Sequence, residues 1–333
     1  MNRREVILDA VDAAIRLHRQ MNSEHLVQSR GGGVDVFDAI LSQSVPLLFR
    51  PLDRLLGAFL PQPSAGIIIT TQRNLAIQRF TAAHELGHLI LGHRVSLDDE
   101  SILQRLPFGT TSYSAVETAA DAFAASFLIP TWLLDIHAEH QGWNKASLED
   151  PRIVYQLSLR IGASYEATCR MLERYNHINQ HTLRKHLAIT PKTIKQDLLG
   201  NHKLTDWYPD VWELSERDQN MLIQGGPDDV FIIRLKENSG AGYLWNTDEL
   251  NGAGFTTISD EVFVPDASET VGGIVDRVLI AQSQTEGTGE LDLKQTRPWE
   301  ESPSDFDHFI LKYELFGRES GLPRAQREGR ATN

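Results

Sequence analysis

Arg79-Phe80-Thr81-Ala82-Ala83-His84-Glu85-Leu86-Gly87-His88 reads as the interior of a helix, with no proline to break it. Residues four apart lie on one helical face, so His84 and His88 can point at one metal ion. Neutral imidazole suits Zn²⁺, and two ligands drawn from one helical turn need little extra ordering. Glu85 sits beside His84, within reach of a water that a bound zinc would acidify, and is placed to act as general base.

The patterns around this helix extend the reading. Val6, Ile7, Ala10, Val11, Ala14 and Ile15 recur at helical spacing and predict an opening amphipathic helix. Gly31-Gly32-Gly33 breaks the chain, and a second helix is expected over Asp35 to Gln43. Ala65 to Thr71 is β-branched and bounded by Pro63 and Asn74, so it reads as a strand whose Ile67–Ile69 segment would offer an edge to an extended substrate. The metal-motif helix should run from Ala76 to Leu91 and stop near Gly92. A further helix is expected over Ala115 to Leu128, ended by Pro130.

A third metal ligand is required. A His six residues beyond His88 would serve, but that position is Arg94, and Gly92 and His93 are each displaced by one. On a continuing helix His93 would face away from His84 and His88. A carboxylate from the later helix fits better. Glu117 can ligate, and Asp121, one turn on, can accept a hydrogen bond from the second ring nitrogen of a ligand His. These acids flank an apolar stripe of Ala119, Ala120, Phe123, Ala124, Phe127 and Leu128, where carboxylates are costly to bury without a cation. The alternative is a solvent-facing acidic pair beside two core histidines.

Together with Glu117-Thr118-Ala119-Ala120-Asp121-Ala122-Phe123-Ala124 and Leu128-Ile129-Pro130, the run from Arg79 to His88 resembles the ImmA/IrrE family of zinc metallopeptidases over residues 1–200. The resemblance implies a gluzincin-like site with His84, His88 and Glu117 on Zn²⁺, Glu85 as catalytic base and Asp121 behind a ligand. It also implies a protein substrate, a helix-turn-helix repressor whose cleavage switches on stress, mobile-element or defence genes. Asp121 stands where the family often has Asn, and either can hold a ligand His. The motif does not specify a transition-state stabiliser; Tyr113, polar and just ahead of the Glu117 helix, is the candidate.

Charge divides the chain. Residues 1–200 carry 20 basic and 20 acidic side chains, whereas residues 201–333 carry 12 and 25, so the entire formal charge of −13 lies beyond residue 200. Such acidity disfavours non-specific contact with nucleic acid or anionic membrane. Residues 151–200 are the exception, with 8 basic and 3 acidic residues. There, Gly162-Ala163-Ser164 and Ile189-Thr190-Pro191 each separate two helical runs, and Arg170, Arg174, Arg184, Lys185, Lys192 and Lys195 add positive charge. A contact with DNA or a repressor is one reading, and ordinary helix packing with solvated charges is the favoured one. Cys169, the single cysteine, reads as a packed side chain rather than a metal-capping thiolate. One cysteine excludes an internal disulfide framework. The N-terminus lacks the apolar core of a signal peptide and no uninterrupted apolar run suits a bilayer, so a cytoplasmic protein without membrane contact is expected.

Beyond residues 200–210 the texture becomes short apolar runs, Val230–Ile233, Glu261–Val264, Arg277–Ala281 and His308–Leu311, separated by Gly- and Asp-rich turns. This predicts an antiparallel β-sandwich. Three loops recur in order: Asn238-Ser239-Gly240-Ala241-Gly242-Tyr243-Leu244-Trp245, Thr270-Val271-Gly272-Gly273 and Arg297-Pro298-Trp299. At one end of a sandwich they would converge into a binding edge, with Tyr243 and Trp299 supplying contact area. The set resembles chagasin-like inhibitors of papain-type cysteine peptidases, an immunoglobulin-like sandwich, over residues 205–318. Arg297-Pro298-Trp299 is intact, but the first loop keeps only Asn238, Gly242 and Tyr243 of the family pattern, and Thr270 replaces a Gly. The alternative places Tyr243, Trp245 and Trp299 in packing.

The expected architecture is therefore α+β and multidomain: a mostly helical gluzincin-like zinc peptidase domain over 1–204, an antiparallel immunoglobulin-like β-sandwich over 205–318 and a polar, frayed tail over 319–333. A zinc endopeptidase acting on a specific protein is the leading expectation. A protein-binding module or cysteine-peptidase inhibitor with a non-catalytic metal domain is the second, and a DNA-responsive regulator the third.

Overall fold

The computed structural model describes residues 2–329 except 62, 64, 95, 99–113, 205, 265–272, 285 and 301–305. The N-terminal domain runs α1 (Arg3–Met21), α2 (Ser23–Arg30), α3 (Val36–Ser42), β1 (Leu47–Arg50), β2 (Gly57–Leu60), β3 (Gly66–Thr70), α4 (Leu75–Ile90), β4 (Ser96–Asp98), α5 (Ala115–Leu128), α6 (Thr131–Gln141), α7 (Pro151–Ile161), α8 (Tyr165–Arg174), α9 (Gln180–Leu187) and α10 (Pro191–Leu199). Side-chain caps begin the helices that matter most for the site. Asn74 accepts from the Ile77 N–H at 3.0 Å at the head of α4, and Ser114 accepts from the Glu117 N–H at 3.2 Å at the head of α5. Pro130 lacks a donor, ends α5 and opens α6.

Strand order in the first sheet is β1-β3-β2-β4, with β1 parallel to β3 and the other pairs antiparallel. The expected substrate edge at Ile67–Ile69 is thereby corrected. β3 is hydrogen-bonded to β1 on one side and β2 on the other, so its backbone groups are already used. Helices α4 and α5 cross closely. A β-carbon on Gly87 would stand 3.2 Å from Ala120 Cα and Phe123 Cβ, tighter than an ordinary contact, so a side chain there would push the two helices slightly apart. That crossing brings the faces bearing His84, His88 and Glu117 together. Ala115–Gln141 has the length and hydropathy of a membrane span, yet 78% of its apolar window is buried inside the protein, and Pro130 divides it into α5 and α6.

The C-terminal domain contains β5 (Val211–Ser215), β6 (Leu222–Gly225), β7 (Val230–Glu237), β8 (Leu244–Trp245), α11 (Asp248–Gly252), β9 (Phe255–Phe263), β10 (Val275–Ser283), β11 (Gly287–Thr296) and β12 (Asp307–Leu315), followed by α12 (Arg324–Arg327). Two four-stranded sheets, β5-β7-β10-β9 and β6-β12-β11-β8, contribute Phe231, Leu279, Leu293 and Phe309 among others to one core. The expectation of wholly antiparallel sheets is corrected at two pairs, β5 with β7 and β6 with β12, which are parallel. A 3₁₀ turn over Glu216–Asp218 carries the chain from the edge of one sheet to the edge of the other, and each short strand joins its neighbour in the same sense.

The boundary at 200–210 holds the linker tightly. Lys195 Nζ lies 2.8 Å from Asp210 Oδ1 and donates to the carbonyls of Trp207 and Pro209. The tail does not fray over its described part. Gly321 exchanges backbone hydrogen bonds with Phe49 at the β1 edge, and Glu319 is buried against Gln78 of α4. The polar composition of 319–329 thus serves a docked strap, because its backbone groups find partners on the first domain.

Candidate metal centre

His84 Nε2 and His88 Nε2 face each other at 3.0 Å. Glu117 Oε2 stands 3.3 Å from His84 Nε2, and its Oε1 stands 3.9 Å from His88 Nε2. Ligand atoms of these three residues all fall within 4.8 Å of one another. Both histidines are buried, while the Glu117 side chain keeps 24% of its surface exposed, so the cluster opens on its carboxylate side.

The remaining ring nitrogens are engaged elsewhere. His84 Nδ1 lies 2.9 Å from Asp121 Oδ1, in a contact bent from ideal hydrogen-bond alignment. A carboxylate there favours the tautomer with its proton on Nδ1, which turns a lone pair on Nε2 toward Glu117. His88 Nδ1 meets His93 Nδ1 at 2.9 Å. Burial, outweighing the attraction of Glu117, pulls His93 below the usual imidazole value. Two imidazole lone pairs and a carboxylate converging at such distances suit a cation between them. The donor set of two His and one Glu fits Zn²⁺ with a position left open.

Glu85 is wholly buried on α4. Its Oε1 packs against β2, 2.8 Å from where a β-carbon on Gly57 would be. Asp121 stands behind His84, as expected from its spacing on α5. Tyr113 lies outside the described residues. Sequence reasoning missed His93; the visible signal was Gly92, which turns the chain back with φ 68°.

In the C-terminal domain the first and third loops meet. Arg297 Nε donates to the Ala241 carbonyl at 3.1 Å, and its guanidinium lies 4.4 Å from the Tyr243 ring centre. The Trp299 ring covers Gly242, whose φ of 85° and missing side chain permit the approach. Asn238 anchors the first loop, its carbonyl accepting from the Tyr243 N–H at 3.2 Å. Pro298 and Trp299 are exposed, the latter at 65%, whereas Trp245 is a core residue at 4%. Gly273 is half-buried, and Gly272 lies outside the described residues.

In the basic segment, Arg170 pairs with Glu166, Lys192 lies over Trp207 and Lys195 holds the linker, while Arg184 and Lys185 are exposed. Cys169 is fully buried, and burial pushes its thiol up to about 12, so it is a neutral packed side chain.

Residues 44–173 match the IrrE N-terminal-like domain of the M78 peptidase family, and residues 227–313 match the chagasin family of peptidase inhibitors, I42. No curated protein matches significantly. Among solved structures, a cysteine protease inhibitor of Entamoeba histolytica shares 23% identity over 33% of this chain and 99% of its own, with a TM-score of 0.29. A Leishmania mexicana protein described as ICP shares 24% identity over 35% of this chain and 99% of its own, with a TM-score of 0.19. A Mycobacterium tuberculosis transcriptional regulator shares 13% over 85% of this chain and 82% of its own, with a TM-score of 0.32. The M78-family match and the His84, His88 and Glu117 cluster together support zinc metallopeptidase activity.

Proposed function

We propose that the chain is a cytoplasmic zinc endopeptidase that cleaves one protein partner, a helix-turn-helix transcriptional repressor, and so switches on stress, mobile-element or defence genes. The C-terminal domain, read as an immunoglobulin-like sandwich, recognises the substrate or senses the signal. The observation that carries the peptidase reading is the convergence of His84 Nε2 and His88 Nε2, on the helix that also bears Glu85, with the Glu117 carboxylate of α5.

Zn²⁺ bound by these three residues supplies Lewis acidity toward a peptide carbonyl and lowers the pKa of water. Glu85 takes a proton from the attacking water and returns it to the departing amide nitrogen. Asp121 holds the His84 ring in the ligating orientation. An extended substrate adds to the sheet beside β4, the edge strand next to β2 and hence nearest the Glu85 carboxylate among the sheet's two edges. Tyr113, just ahead of α5, is assigned to stabilise the developing oxyanion.

The test is Glu85→Gln. Zinc content should match the wild type while cleavage of the repressor, mapped by mass spectrometry, disappears; cleavage at the wild-type rate would overturn the mechanism. A second reading, capture of a papain-type cysteine peptidase, is favoured by the assembled Arg297, Tyr243, Gly242 and Trp299 loop end. Zinc-independent inhibition at nanomolar concentration would support it, and no inhibition at micromolar concentration would remove it.

A further inference from the structure

We propose that His93 is a positioning residue of the metal centre, fixing the orientation and tautomer of His88 from the turn that ends α4. The proposal rests on the zinc reading above and adds a residue to it.

The turn explains how His93 reaches its place. The Gly92 N–H donates to the Leu89 carbonyl at 3.2 Å, and the His93 N–H donates to the His88 carbonyl at 2.9 Å. With Gly92 at φ 68°, this pair of bonds is the Schellman arrangement, which folds the residue after the glycine back over the last helical turn. The backbone of His93 is therefore tied to the same residue that its side chain touches. The two rings lie 5.0 Å apart at an interplanar angle of 65°, with Nδ1 facing Nδ1 at 2.9 Å.

The chemistry of that contact is directional. His88 turns Nε2 toward His84 and Glu117, so ligation uses the Nε2 lone pair and leaves the proton on Nδ1. That proton is donated to His93 Nδ1, which accepts only if His93 carries its own proton on Nε2. The two ligand rings are thus held from behind by different groups, His84 by the Asp121 carboxylate and His88 by a neutral imidazole. Such outer partners set ring orientation and ligand basicity, and losing one typically weakens metal affinity about 10–100-fold.

The test uses the full chain with zinc alone as the probe. Zinc dissociation constants are measured by chelator competition for the wild type, His93→Leu and His93→Asn, with Co²⁺ absorption spectra as a second readout. His93→Leu keeps bulk without an acceptor, and affinity should fall about 10–100-fold with an altered Co²⁺ spectrum. His93→Asn offers a side-chain oxygen near the former Nδ1 and should recover most of the loss. Equal affinity of His93→Leu and the wild type would overturn the inference, as would equal losses in both variants. Absence of zinc binding by the wild type would instead sink the zinc reading itself.

Discussion

Glu85 Oε1 lies 2.8 Å from the position a β-carbon on Gly57 would occupy, so the base on α4 fits only because β2 has no side chain there. Thr81 Cγ2 is closer still, at 2.5 Å from that position. Gly57→Ala must therefore move the Glu85 carboxylate or part β2 from α4, while Glu117 on α5 is left in place. A positioned general base contributes roughly 10²–10⁴-fold to rate. Peptidase turnover of Gly57→Ala should fall about 100-fold or more with zinc content unchanged. Turnover and metal analysis on the same preparation check it.

Arg160 and Asp218 join the two domains through an ion pair of 2.9 Å, their side chains only 3% and 1% exposed. Gln141 and the Ser215 N–H also donate to Asp218, and Arg160 donates to the Glu213 carbonyl. Removing one partner strands a buried charge, at a cost of about 3–5 kcal/mol. Asp218→Ala should destabilise the chain by that amount in urea and separate the unfolding of the two domains. The double variant Arg160→Met, Asp218→Leu should recover much of the loss, because a stranded charge and not the pair itself dominates the single-variant penalty.

What could be read locally, and what could not, follows from distance along the chain. His84 and His88 are one helical turn apart, and Glu117 and Asp121 interrupt an apolar stripe, so periodicity exposed the cluster. Gly92 marks a helix stop in the sequence, but spacing on a continuing helix turns His93 away from His84 and His88, and only the left-handed turn at Gly92 brings it back. The strands Leu47–Arg50 and Gly57–Leu60 are only four residues each, too short for alternation to declare them, and the parallel pairing of β1 with β3 is not encoded in either. Gln78 and Glu319 are 241 positions apart, so no local pattern could show that a polar tail docks. Trp245 and Trp299 both sit in aromatic loop motifs; only the assembled sheets bury one and expose the other.

His18 stacks on Phe127 at 4.6 Å between ring centres, and His137 lies 2.9 Å through Nε2 from the Gly32 carbonyl. Burial lowers each from 6.5 to about 4. The folded state keeps both neutral until about pH 4, whereas the unfolded chain protonates them near 6.5. Their stabilisation is complete above pH 6.5 and is lost as pH falls toward 4, at about 1.4 kcal/mol per pH unit for each. Asp229 acts in the opposite sense, since burial lifts its carboxyl from 3.8 to about 7 and disfavours folding as pH rises through that window. The variant His18→Phe keeps the stack and removes one titrating group. Its stability against pH from 6.5 to 4 should be shallower than the wild type by about 1.4 kcal/mol per unit, measured by urea unfolding.

Gln78 clamps the strap from a fully buried position. Its amide NH₂ donates to the carbonyls of Thr70 at 2.9 Å and Glu319 at 3.0 Å, and its oxygen accepts from the Glu319 N–H at 2.8 Å. Phe49 donates to the Gly321 carbonyl at 2.7 Å and accepts from its N–H at 2.9 Å. Truncation after Gly317 removes the Glu319 and Gly321 partners at once, leaving Gln78 only the Thr70 carbonyl, and opens the β1 edge. Each buried polar group left without a partner costs about 1–3 kcal/mol, less where water enters the gap, so a loss of about 2–4 kcal/mol is expected. Truncation after Leu322 combined with Glu319→Gln keeps the backbone partners at Glu319 and Gly321, and the neutral side chain avoids stranding the buried Glu319 carboxylate, 5% exposed, when Arg324 and Arg327 are removed, so its loss should be about 1 kcal/mol. Urea unfolding of the two truncations should therefore differ. The shorter chain should also self-associate, because an uncovered edge strand pairs with its like. Equal stability of the two would mean that the strap's backbone pairing contributes nothing.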